Sequence, residues 1–276
     1  MECTATQEND IMREIRIPKR TGGYRTVVSP SKLEKQQLRS LLPQLTATAV
    51  TGDLHNVQHG FTPTRSPVTN AAEHVGYKIT LTWDLSDCFG HITTELVEQV
   101  ASIPDACYVD GVARQGLPTS PAVCNIALSG LDSRIMDLVS AVRAEGFRCT
   151  YTRYADDLTI SCDSQRLADA FSGGIPKLCD DYGVPVSPGK TRVQYAKAGR
   201  RHVTGIAVDD AGIHPTRAAK RRLRAARHQK SDSAIGLAEW CKLKAPSPHR
   251  FVDAHPADLV LCAIVTVNHT HLIRAE

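Results

Sequence analysis

The sequence has no apolar run long enough to cross a membrane, and it contains few aromatic residues. No stretch of about 18 consecutive apolar residues occurs, and the N-terminal segment lacks the apolar core of a signal peptide. We therefore expect a cytoplasmic chain that does not enter a membrane. Aromatic residues make up 5% of the sequence, which disfavours a binding surface built mainly on aromatic stacking.

Closely spaced cysteine pairs are also lacking. The sequence has nine cysteines, but no two are spaced as CxxC, which argues against a zinc ribbon or a dithiol redox motif. We expect reduced thiols, most of them buried. No internal repeat or low-complexity segment is present, so the composition indicates an ordinary globular protein.

Apolar residues are plentiful, and basic residues are unevenly distributed. Hydrophobic residues make up 42% of the 276 positions, enough for one large domain or two smaller ones. The net charge is only +4, but residues 216–230 form a helix-like segment that contains no acidic residue. Its basic residues are Arg217, Lys220, Arg221, Arg222, Arg224, Arg227 and Lys230. A solvated helix face usually alternates the sign of its charges, so this segment favours a polyanionic partner.

The N-terminal third predicts a hairpin followed by a helix. Residues 15–30 have an extended start, a Gly22-Gly23 turn and a second extended arm that ends at a proline. A helix is expected from Ser31 to about Leu42. The turn-rich segment that follows contains a short helix at about Val68–His74.

Two strands with alternating polarity are predicted further along the chain. In the first, Ile79, Leu81, Trp83 and Leu85 share an apolar face, while Thr80, Thr82 and Asp84 share a polar one. The segment 157–162 repeats this arrangement. We expect the two strands to be neighbours in one sheet, with helices behind them and a hydroxyl-lined front that faces a ligand.

A long helix lies between the two strands in the sequence. Ser120-Pro121 is a helix start, with Ser as the N-cap and Pro at the first helical position. Apolar residues then follow at helical spacing up to Gly146, at positions 123, 127, 131, 135, 138 and 142. The elements together predict an α+β fold whose antiparallel sheet is covered on one side.

Two adjacent carboxylates, Asp156 and Asp157, stand between two β-patterned segments. An Asp pair at this position is usually only a turn, because Asp bonds nearby backbone and tolerates unusual backbone angles. The pairs Asp180-Asp181 and Asp209-Asp210 show that such pairs also occur elsewhere in this chain. If the predicted strands are neighbours, however, Asp84 reaches the same place.

Three converging carboxylates require positive charge to offset their repulsion. Close like charges otherwise force one carboxyl group to stay protonated. Oxygen ligands of this kind suit Mg²⁺, and paired metal ions support the in-line phosphoryl displacement of polymerases and nucleases. The residue pattern by itself therefore leaves both classes of enzyme open, together with a binding protein that has no catalytic activity.

Five blocks of the sequence, in order, resemble the conserved blocks of reverse transcriptases. The blocks are IPKRTGGYRTVVSP, LTWDLSDCF, QGLPTSPAVCN, YTRYADDLTIS and SPGKT, and the similarity covers roughly residues 15–245. Within this family the chain is similar to bacterial retron reverse transcriptases, which share an NAxxH block and a VTG block. These blocks correspond here to Asn70, Ala71, His74 and to Val203, Thr204, Gly205.

The resemblance implies a right-hand polymerase fold with fingers, a ferredoxin-like palm that contains an antiparallel sheet, and a helical thumb. It assigns residues 1–77 to the fingers, 78–199 to the palm, with 93–119 partly fingers or connecting region, and 200–276 to the primer-grip hairpin and thumb. The implied activity is RNA-directed DNA synthesis with two Mg²⁺ ions.

The resemblance also implies roles for individual residues. Asp84, Asp156, Asp157 and the backbone carbonyl of Leu85 would hold the metal ions. The nucleotide-binding residues would be Lys19, Arg25, Phe89, Gln115, Gly116 and Lys190, with Phe89 under the sugar and Lys190 near the leaving pyrophosphate. The residues facing primer or RNA would be Asn70, His74, Tyr154, Val203, Thr204, Gly205, Arg217, Arg221 and Arg224.

A retron-type enzyme is expected to copy a structured non-coding RNA that serves as template. The resemblance implies dNTP substrates, an RNA:DNA hybrid, priming from a 2′-OH, a branched RNA-DNA product, an effector protein partner and a role in antiphage defence. Another defence-associated or group II intron-like reverse transcriptase is an alternative, as is an RNA-binding scaffold. The sequence departs from the family in DCFGHI, where Cys88 and Gly90 are substitutions, and in the 30 residues between Asp84 and Gln115, fewer than retron enzymes lead us to expect.

Overall fold

The computed structural model describes residues 12–19, 22–49, 54 and 56–243. The strands are β1 (Arg13–Pro18), β2 (Tyr24–Ser29), β3 (Ile79–Asp84), β4 (Cys149–Tyr154), β5 (Asp157–Cys162), β6 (Arg192–Tyr195), β7 (Arg201–Val203), β8 (Ile206–Val208) and β9 (Ile213–Pro215). The helices are α1 (Lys32–Ala49), α2 (Pro67–Ala72), α3 (Cys88–His91), α4 (Thr94–Glu98), α5 (Ser120–Ala144), α6 (Gln165–Asp181), α7 (Arg217–His228) and α8 (Ser233–Trp240). In these ranges no helix combines the length and apolar character that a bilayer span requires.

The N-terminal hairpin forms as predicted, and α1 follows it. β1 and β2 pair in antiparallel register along their full length. Ser31 and Glu34 cap α1 reciprocally, because the Glu34 carboxylate accepts the Ser31 N–H and the Ser31 hydroxyl accepts the Glu34 N–H. The predicted end at Leu42 is wrong, since the helix continues through Pro43 to Ala49. Packing of the last turns of the helix against the core offsets the loss of the hydrogen bond that Pro43 cannot donate.

A four-stranded antiparallel sheet with the order β4-β5-β3-β6 forms the centre of the molecule. β3 lies beside β5, which is the adjacency that the alternating pattern predicts. On one face of the sheet, Leu81, Trp83, Leu158 and Ile160 are buried in the same core as residues of α5 and α6. The predicted α+β plan, with helices packed against this face of the sheet, is therefore confirmed.

The opposite face of the sheet is covered over much of its length, which corrects the expected ligand-facing front. Thr80, Thr152 and Ser161 are buried, and α2 and β7 pack on this side. The His74 ring lies 2.9 Å from the Ser161 hydroxyl through Nδ1 and 2.7 Å from the Thr152 hydroxyl through Nε2. Arg201 donates to the Thr80 hydroxyl at 3.3 Å. These hydroxyls are therefore satisfied by protein groups, and they can be buried without a ligand.

His74 provides a test of this buried face. Burial, followed by the positive charges of His59 and Arg201, lowers the pKa of His74 from 6.5 to about 3. The unfolded chain therefore binds a proton below pH 6.5 that the folded chain does not bind, and stability is lost as the pH falls from 6.5 towards 3. We expect wild type to lose about 2 kcal/mol more unfolding free energy than His74→Gln between pH 7.5 and 5, measured by urea unfolding. Equal pH dependence in both proteins would contradict the buried, neutral His74.

The long helix α5 runs beneath the sheet, and two details of the prediction are wrong. The helix begins at Ser120, but Thr119 occupies the N-cap position, and the Ser120 hydroxyl instead donates to the Arg114 carbonyl at 2.6 Å. That bond ties the start of α5 to the loop that precedes it. Most of the predicted apolar positions are buried, whereas Leu138 is 46% exposed, because it lies on the solvent side of the second half of the helix.

The C-terminal part consists of a small sheet and two helices. Strands β7, β8 and β9 pair antiparallel in that order. Asp209 closes the turn between β8 and β9 by accepting the N–H groups of Ala211 and Gly212, as expected for a structural Asp pair. The helix α7 follows, with the Thr216 hydroxyl as its N-cap, and then α8. Segments 1–11 and 244–276 of the predicted fingers and thumb regions lie outside the described residues.

The described cysteines behave as the composition predicts. Seven cysteines fall within the described residues; all are free thiols, and all except Cys241 are buried. Cys3 and Cys262 lie outside these residues.

Candidate active site

The three predicted carboxylates lie at one end of the central sheet. Asp84 is the last residue of β3 and pairs in register with Asp157, the first residue of β5. Asp156 precedes Asp157 in the turn that joins β4 to β5. The backbone N–H of Leu85 donates to the Asp156 carbonyl at 2.9 Å, which joins the end of β3 to this turn. Two distant parts of the sequence thus meet where the chain places its acidic residues.

Local electrostatics favour a bound proton or cation at this end of the sheet. Burial, and then the negative charges of Asp156 and Asp84, raise the pKa of Asp157 to about 7. The cations Lys190 and Arg192 oppose this rise but do not cancel it. At neutral pH the site therefore has a carboxyl group that is readily protonated, as expected where like charges converge.

Lys190 forms an ion pair with Asp84. Its Nζ lies 2.6 Å from Asp84 Oδ2, and this hydrogen bond raises the pKa of Lys190. The Lys190 side chain is 62% exposed, whereas that of Asp84 is 19% exposed. The loop that carries Lys190 is fixed to the strand, because the Ser187 N–H donates to the Asp84 carbonyl at 2.7 Å. The ammonium group therefore lies where a cation that binds Asp84 would lie.

The carboxylates fit a divalent cation by their chemistry, although they are not arranged as a complete coordination site. In the described part of the chain, no cluster of three or more His, Cys, Asp or Glu residues is arranged to hold a metal ion. Hard carboxylate oxygens suit Mg²⁺, and the pKa of Asp157 is raised first by burial and then by the negative charges of Asp156 and Asp84. Release of Lys190 from Asp84 would free one more oxygen for a metal ion.

Phe89 and the loop around it lie next to the end of β3. Asp87 adopts a left-handed backbone conformation, with φ of 41°, and Gly90 approaches its carboxylate so closely that a Cβ would overlap it. A side chain at position 90 would therefore have to displace the Asp87 carboxylate. Phe89 is partly buried and packs against the main core. Its contact with a nucleotide sugar stays a prediction.

The predicted nucleotide-binding residues of the fingers lie on a hairpin that is attached to the Gln115-Gly116 segment. Lys19 lies at the end of β1 and is exposed, and Arg25 is half-buried on β2. The Val28 N–H donates to the Gln115 carbonyl at 2.7 Å. Gly116 has φ of +107°, and a Cβ there would overlap the Val28 carbonyl oxygen. The absence of a side chain at Gly116 thus allows its backbone to lie close to the hairpin.

Two residues predicted to face RNA are instead buried against protein. Asn70 and His74 are both 0% exposed. The Asn70 amide donates to the Thr204 hydroxyl at 3.4 Å, and this hydroxyl also lies 3.3 Å from the Pro67 carbonyl. The predicted direct contact of these two side chains with RNA is therefore corrected, because buried side chains that bond protein groups are not available to a ligand.

The other predicted primer-facing residues differ in exposure. Val203 is buried, Thr204 is half-buried with φ of 45°, and Gly205 is exposed with φ of +78°. Tyr154 is half-buried and pairs in register with Asp157 across the β4–β5 hairpin. The roles of Thr204, Gly205 and Tyr154 stay predictions.

The basic helix has one apolar side and several exposed cations. Ala219, Leu223 and Ala226 are buried on the inner side of α7. An open pocket of about 310 Å³ is lined by Arg217, Lys220, Arg221 and Arg224. This surface is available to a polyanion, as the charge pattern predicts.

Sequence reasoning missed a buried ion pair behind the turn that carries Asp156. Arg153 and Asp132 are each 0% exposed, and Arg153 Nη2 lies 2.7 Å from Asp132 Oδ2. Asp132 lies on α5 among apolar positions, and Arg153 shares the helix-facing side of β4 with Tyr151. Opposite charges at two positions where the pattern requires apolar residues are the signal that could have revealed the pair.

Comparison with known proteins identifies the family of the chain. A family model described as reverse transcriptase (RNA-dependent DNA polymerase) matches residues 17–208. The retron Mx65 reverse transcriptase of Myxococcus xanthus is 34% identical over 247 residues, which cover 79% of this chain and 55% of that protein. The retron Ec86 reverse transcriptase of Escherichia coli is 27% identical over 219 residues, covering 74% of this chain and 64% of that protein.

Solved structures support the fold. Telomerase from Candida albicans, in complex with a TWJ fragment of telomeric RNA, aligns with a TM-score of 0.52 at 14% identity, covering 74% of this chain and 45% of that chain. The fold is therefore that of a right-hand polymerase. The chain spans only about half the length of the Mx65 protein. The curated relatives named above are retron reverse transcriptases, and the chain itself belongs to the reverse transcriptase family.

Proposed function

We propose that this chain is an RNA-directed DNA polymerase. The observation that carries the proposal is the register of the central sheet, which pairs Asp84 with Asp157 beside Asp156. The experiment is extension of a DNA primer on an RNA template by the purified protein, with dNTPs and Mg²⁺. Product that appears with Mg²⁺, disappears with EDTA and returns with added Mg²⁺ supports the proposal. No extension on any RNA template under these conditions would refute it.

The proposed mechanism is nucleotidyl transfer with two Mg²⁺ ions. Asp84, Asp156, Asp157 and the Leu85 carbonyl would hold the ions, which would supply positive charge to the attacking and leaving oxygens of the phosphoryl displacement. Lys190 Nζ would carry the proton for the leaving pyrophosphate. Because Lys190 is paired with Asp84, it would first have to leave that carboxylate.

The remaining predicted residues would position the nucleotide. Lys19 and Arg25 would hold triphosphate oxygens, Lys19 as a point charge and Arg25 through its planar guanidinium group. Phe89 would lie beneath the sugar and exclude a 2′-OH, which makes dNTPs the preferred substrates. Gln115 would border the incoming base, with Gly116 holding the hairpin close.

A structured RNA is the proposed template. The proposal rests on relatives named as retron reverse transcriptases and extends to priming from a 2′-OH, a branched RNA-DNA product, an effector protein partner and antiphage defence. Sequencing of the nucleic acid that copurifies with the protein tests it. One species that contains a 2′–5′ branch, cut by a debranching enzyme, supports the retron assignment. Linear or repetitive DNA would favour another defence-associated or intron-like reverse transcriptase.

The exposed cations of α7 provide a separate prediction. Arg221→Ala/Arg224→Ala removes two charges that face solvent, and we expect the slope of log affinity against log salt for an RNA:DNA duplex to decrease by about two. The loss should be similar for duplexes of different sequence, because phosphate contacts carry no base information. Fluorescence anisotropy at several salt concentrations measures the slope.

A charge-matched control lies on another helix. Arg166→Ala/Lys177→Ala removes two exposed cations from α6 and should leave the salt slope unchanged. If both double variants reduce the slope equally, the duplex is attracted by net charge and not by α7 in particular.

A further inference from the structure

The turn that carries the catalytic carboxylates has an unfavourable backbone conformation. Ala155, immediately before Asp156, has φ of 56°, in the left-handed region that residues with a Cβ rarely adopt. Such a conformation persists only where the surrounding structure holds it. The contacts of Ala155 therefore indicate what fixes the positions of Asp156 and Asp157.

Arg153 is one of the groups that hold the turn. Its Nη1 donates to the Ala155 carbonyl at 3.0 Å and to the Asn125 Oδ1 atom at 3.0 Å. Its Nε and Nη2 bind Asp132, which leaves the planar guanidinium group little freedom to move. The side chain of Arg153 thus spans from α5 to the backbone of the catalytic turn.

Asp132 is held from several directions. The Tyr151 hydroxyl donates to Asp132 Oδ1 at 2.7 Å, and the Gln58 amide donates to Asp132 Oδ2 at 3.0 Å. A buried ion pair is not needed for stability as such, because well-packed apolar residues of similar volume often serve as well. The bond from Arg153 to Ala155 is the feature that an apolar replacement could not supply.

A second backbone segment supports the turn from the other side. The Arg153 N–H donates to the Val57 carbonyl, and the His59 N–H donates to the Arg153 carbonyl, both at 2.8 Å. Gly60 then lies so close to Ala155 that a Cβ would overlap the Ala155 backbone nitrogen. The Asn125 amide donates to the Gly60 carbonyl at 2.9 Å, so the same asparagine binds both Arg153 and this segment.

We propose that the Asp132–Arg153 pair and Asn125 form a positioning clamp, which holds Ala155 in its left-handed conformation and thereby sets the distance between Asp156, Asp157 and Asp84. The proposal rests on the proposed function, because it concerns the same carboxylates. The clamp residues are buried. They act through the Ala155 carbonyl, so they should affect metal binding and turnover more than nucleotide binding.

The first test uses Arg153→Lys. Lysine keeps the charge opposite Asp132 but cannot also bind Asn125 and Ala155, because it lacks the planar set of donors. We expect Mn²⁺ to bind about 10-fold more weakly, because the loss of groups that support metal ligands typically has an effect of this size. Electron paramagnetic resonance in the absence of nucleotide measures the Mn²⁺ affinity. In primer extension, kcat should fall about 10- to 100-fold with little change in KM for dNTP.

Arg201→Lys is the matched control. Arg201 is also buried, but its guanidinium group bonds the His74 carbonyl and the Thr80 hydroxyl, and no bond to the catalytic turn is among these. This variant should lose stability without weakening Mn²⁺ binding. If Arg201→Lys weakens Mn²⁺ binding as much as Arg153→Lys does, the effect is general loosening and the clamp is refuted.

Rescue by glycine gives a second readout. Ala155→Gly removes the cost of a positive φ, so Arg153→Lys should cost less in Mn²⁺ affinity in this background than in wild type. Additive effects would mean that Arg153 does not act through Ala155. If Arg153→Lys does not fold, Asn125→Ala keeps the ion pair but removes the bonds that Asn125 makes to Arg153 Nη1 and to the Gly60 carbonyl. Unchanged Mn²⁺ affinity in that variant would overturn the proposal.

The Mn²⁺ experiment separates this proposal from the proposed function. Wild type that binds Mn²⁺ but extends no primer would contradict the polymerase, while the Arg153→Lys result would still decide the clamp. If wild type extends primers and Arg153→Lys has the same Mn²⁺ affinity and the same kcat as wild type, the clamp alone is contradicted.

Discussion

Asp156→Asn is expected to lower dNTP incorporation on an RNA template by about 10³-fold or more. The amide keeps the shape of the side chain but loses the charge that would bind a hard cation at the end of the sheet, and single electrostatic groups in active sites contribute on this scale. Asp156 occupies the turn next to Asp157, whose partner in register is Asp84. Single-turnover primer extension at saturating dNTP measures the loss.

The chain contains its own control for this substitution. Asp210 is exposed in the other Asp-Asp turn, between β8 and β9, and Asp210→Asn should leave incorporation unchanged. Asp156→Asn should not lower the stability of the folded state. The negative charge of Asp156 helps to raise the pKa of Asp157, and its removal relieves that repulsion. Thermal unfolding at pH 7 should show equal or higher stability. Full activity in Asp156→Asn would remove polymerase activity from this site.

The part of the site that the sequence predicts depends on a short-range pattern. Alternating residues in β3 and β5 define which face of each strand is apolar, and each strand has its carboxylate at the end nearest the turn. Neighbouring antiparallel strands then bring Asp84 opposite Asp157. This inference needs only periodicity and charge, and it is therefore available without a structure.

The same pattern could not show what covers the polar face. Thr80 and Ser161 alternate with apolar residues in the same way whether the face meets solvent or protein, and here they meet His74 and Arg201. The cover comes from α2 and β7, and the contacts that it makes are long-range: His74 is 87 positions from Ser161, and Arg201 is 121 positions from Thr80. The clamp formed by Asp132 and Arg153 was missed for a similar reason, since the two charges satisfy one another only after α5 packs beneath β4.

Gly116→Ala is expected to lower incorporation about 10²-fold by displacing the β1–β2 hairpin. A Cβ at this position would overlap the Val28 carbonyl, and it would also strain a backbone with φ of +107°. The hydrogen bond from Val28 to Gln115 should then lengthen or break. Misplacement of positioning groups by about 1 Å can cost this much in rate.

The loss should appear in binding of the nucleotide. Lys19 and Arg25 lie on the displaced hairpin, so KM for dNTP should rise, whereas the Mn²⁺ affinity of the carboxylates at the end of the central sheet should stay unchanged. Steady-state primer extension with varied dNTP measures the first quantity, and electron paramagnetic resonance measures the second.

Gly146→Ala separates backbone strain from displacement of the hairpin. Gly146 also has a positive φ, of +85°, but a Cβ there would meet no atom within 4 Å. The free energy of unfolding of this variant should fall by about 1 kcal/mol, as expected for alanine forced into a left-handed conformation. Its KM for dNTP should stay unchanged. If Gly116→Ala behaves like Gly146→Ala, the contact between Gly116 and Val28 has no part in synthesis. The triphosphate contacts predicted for Lys19 and Arg25 would then lose the anchor that positions their hairpin.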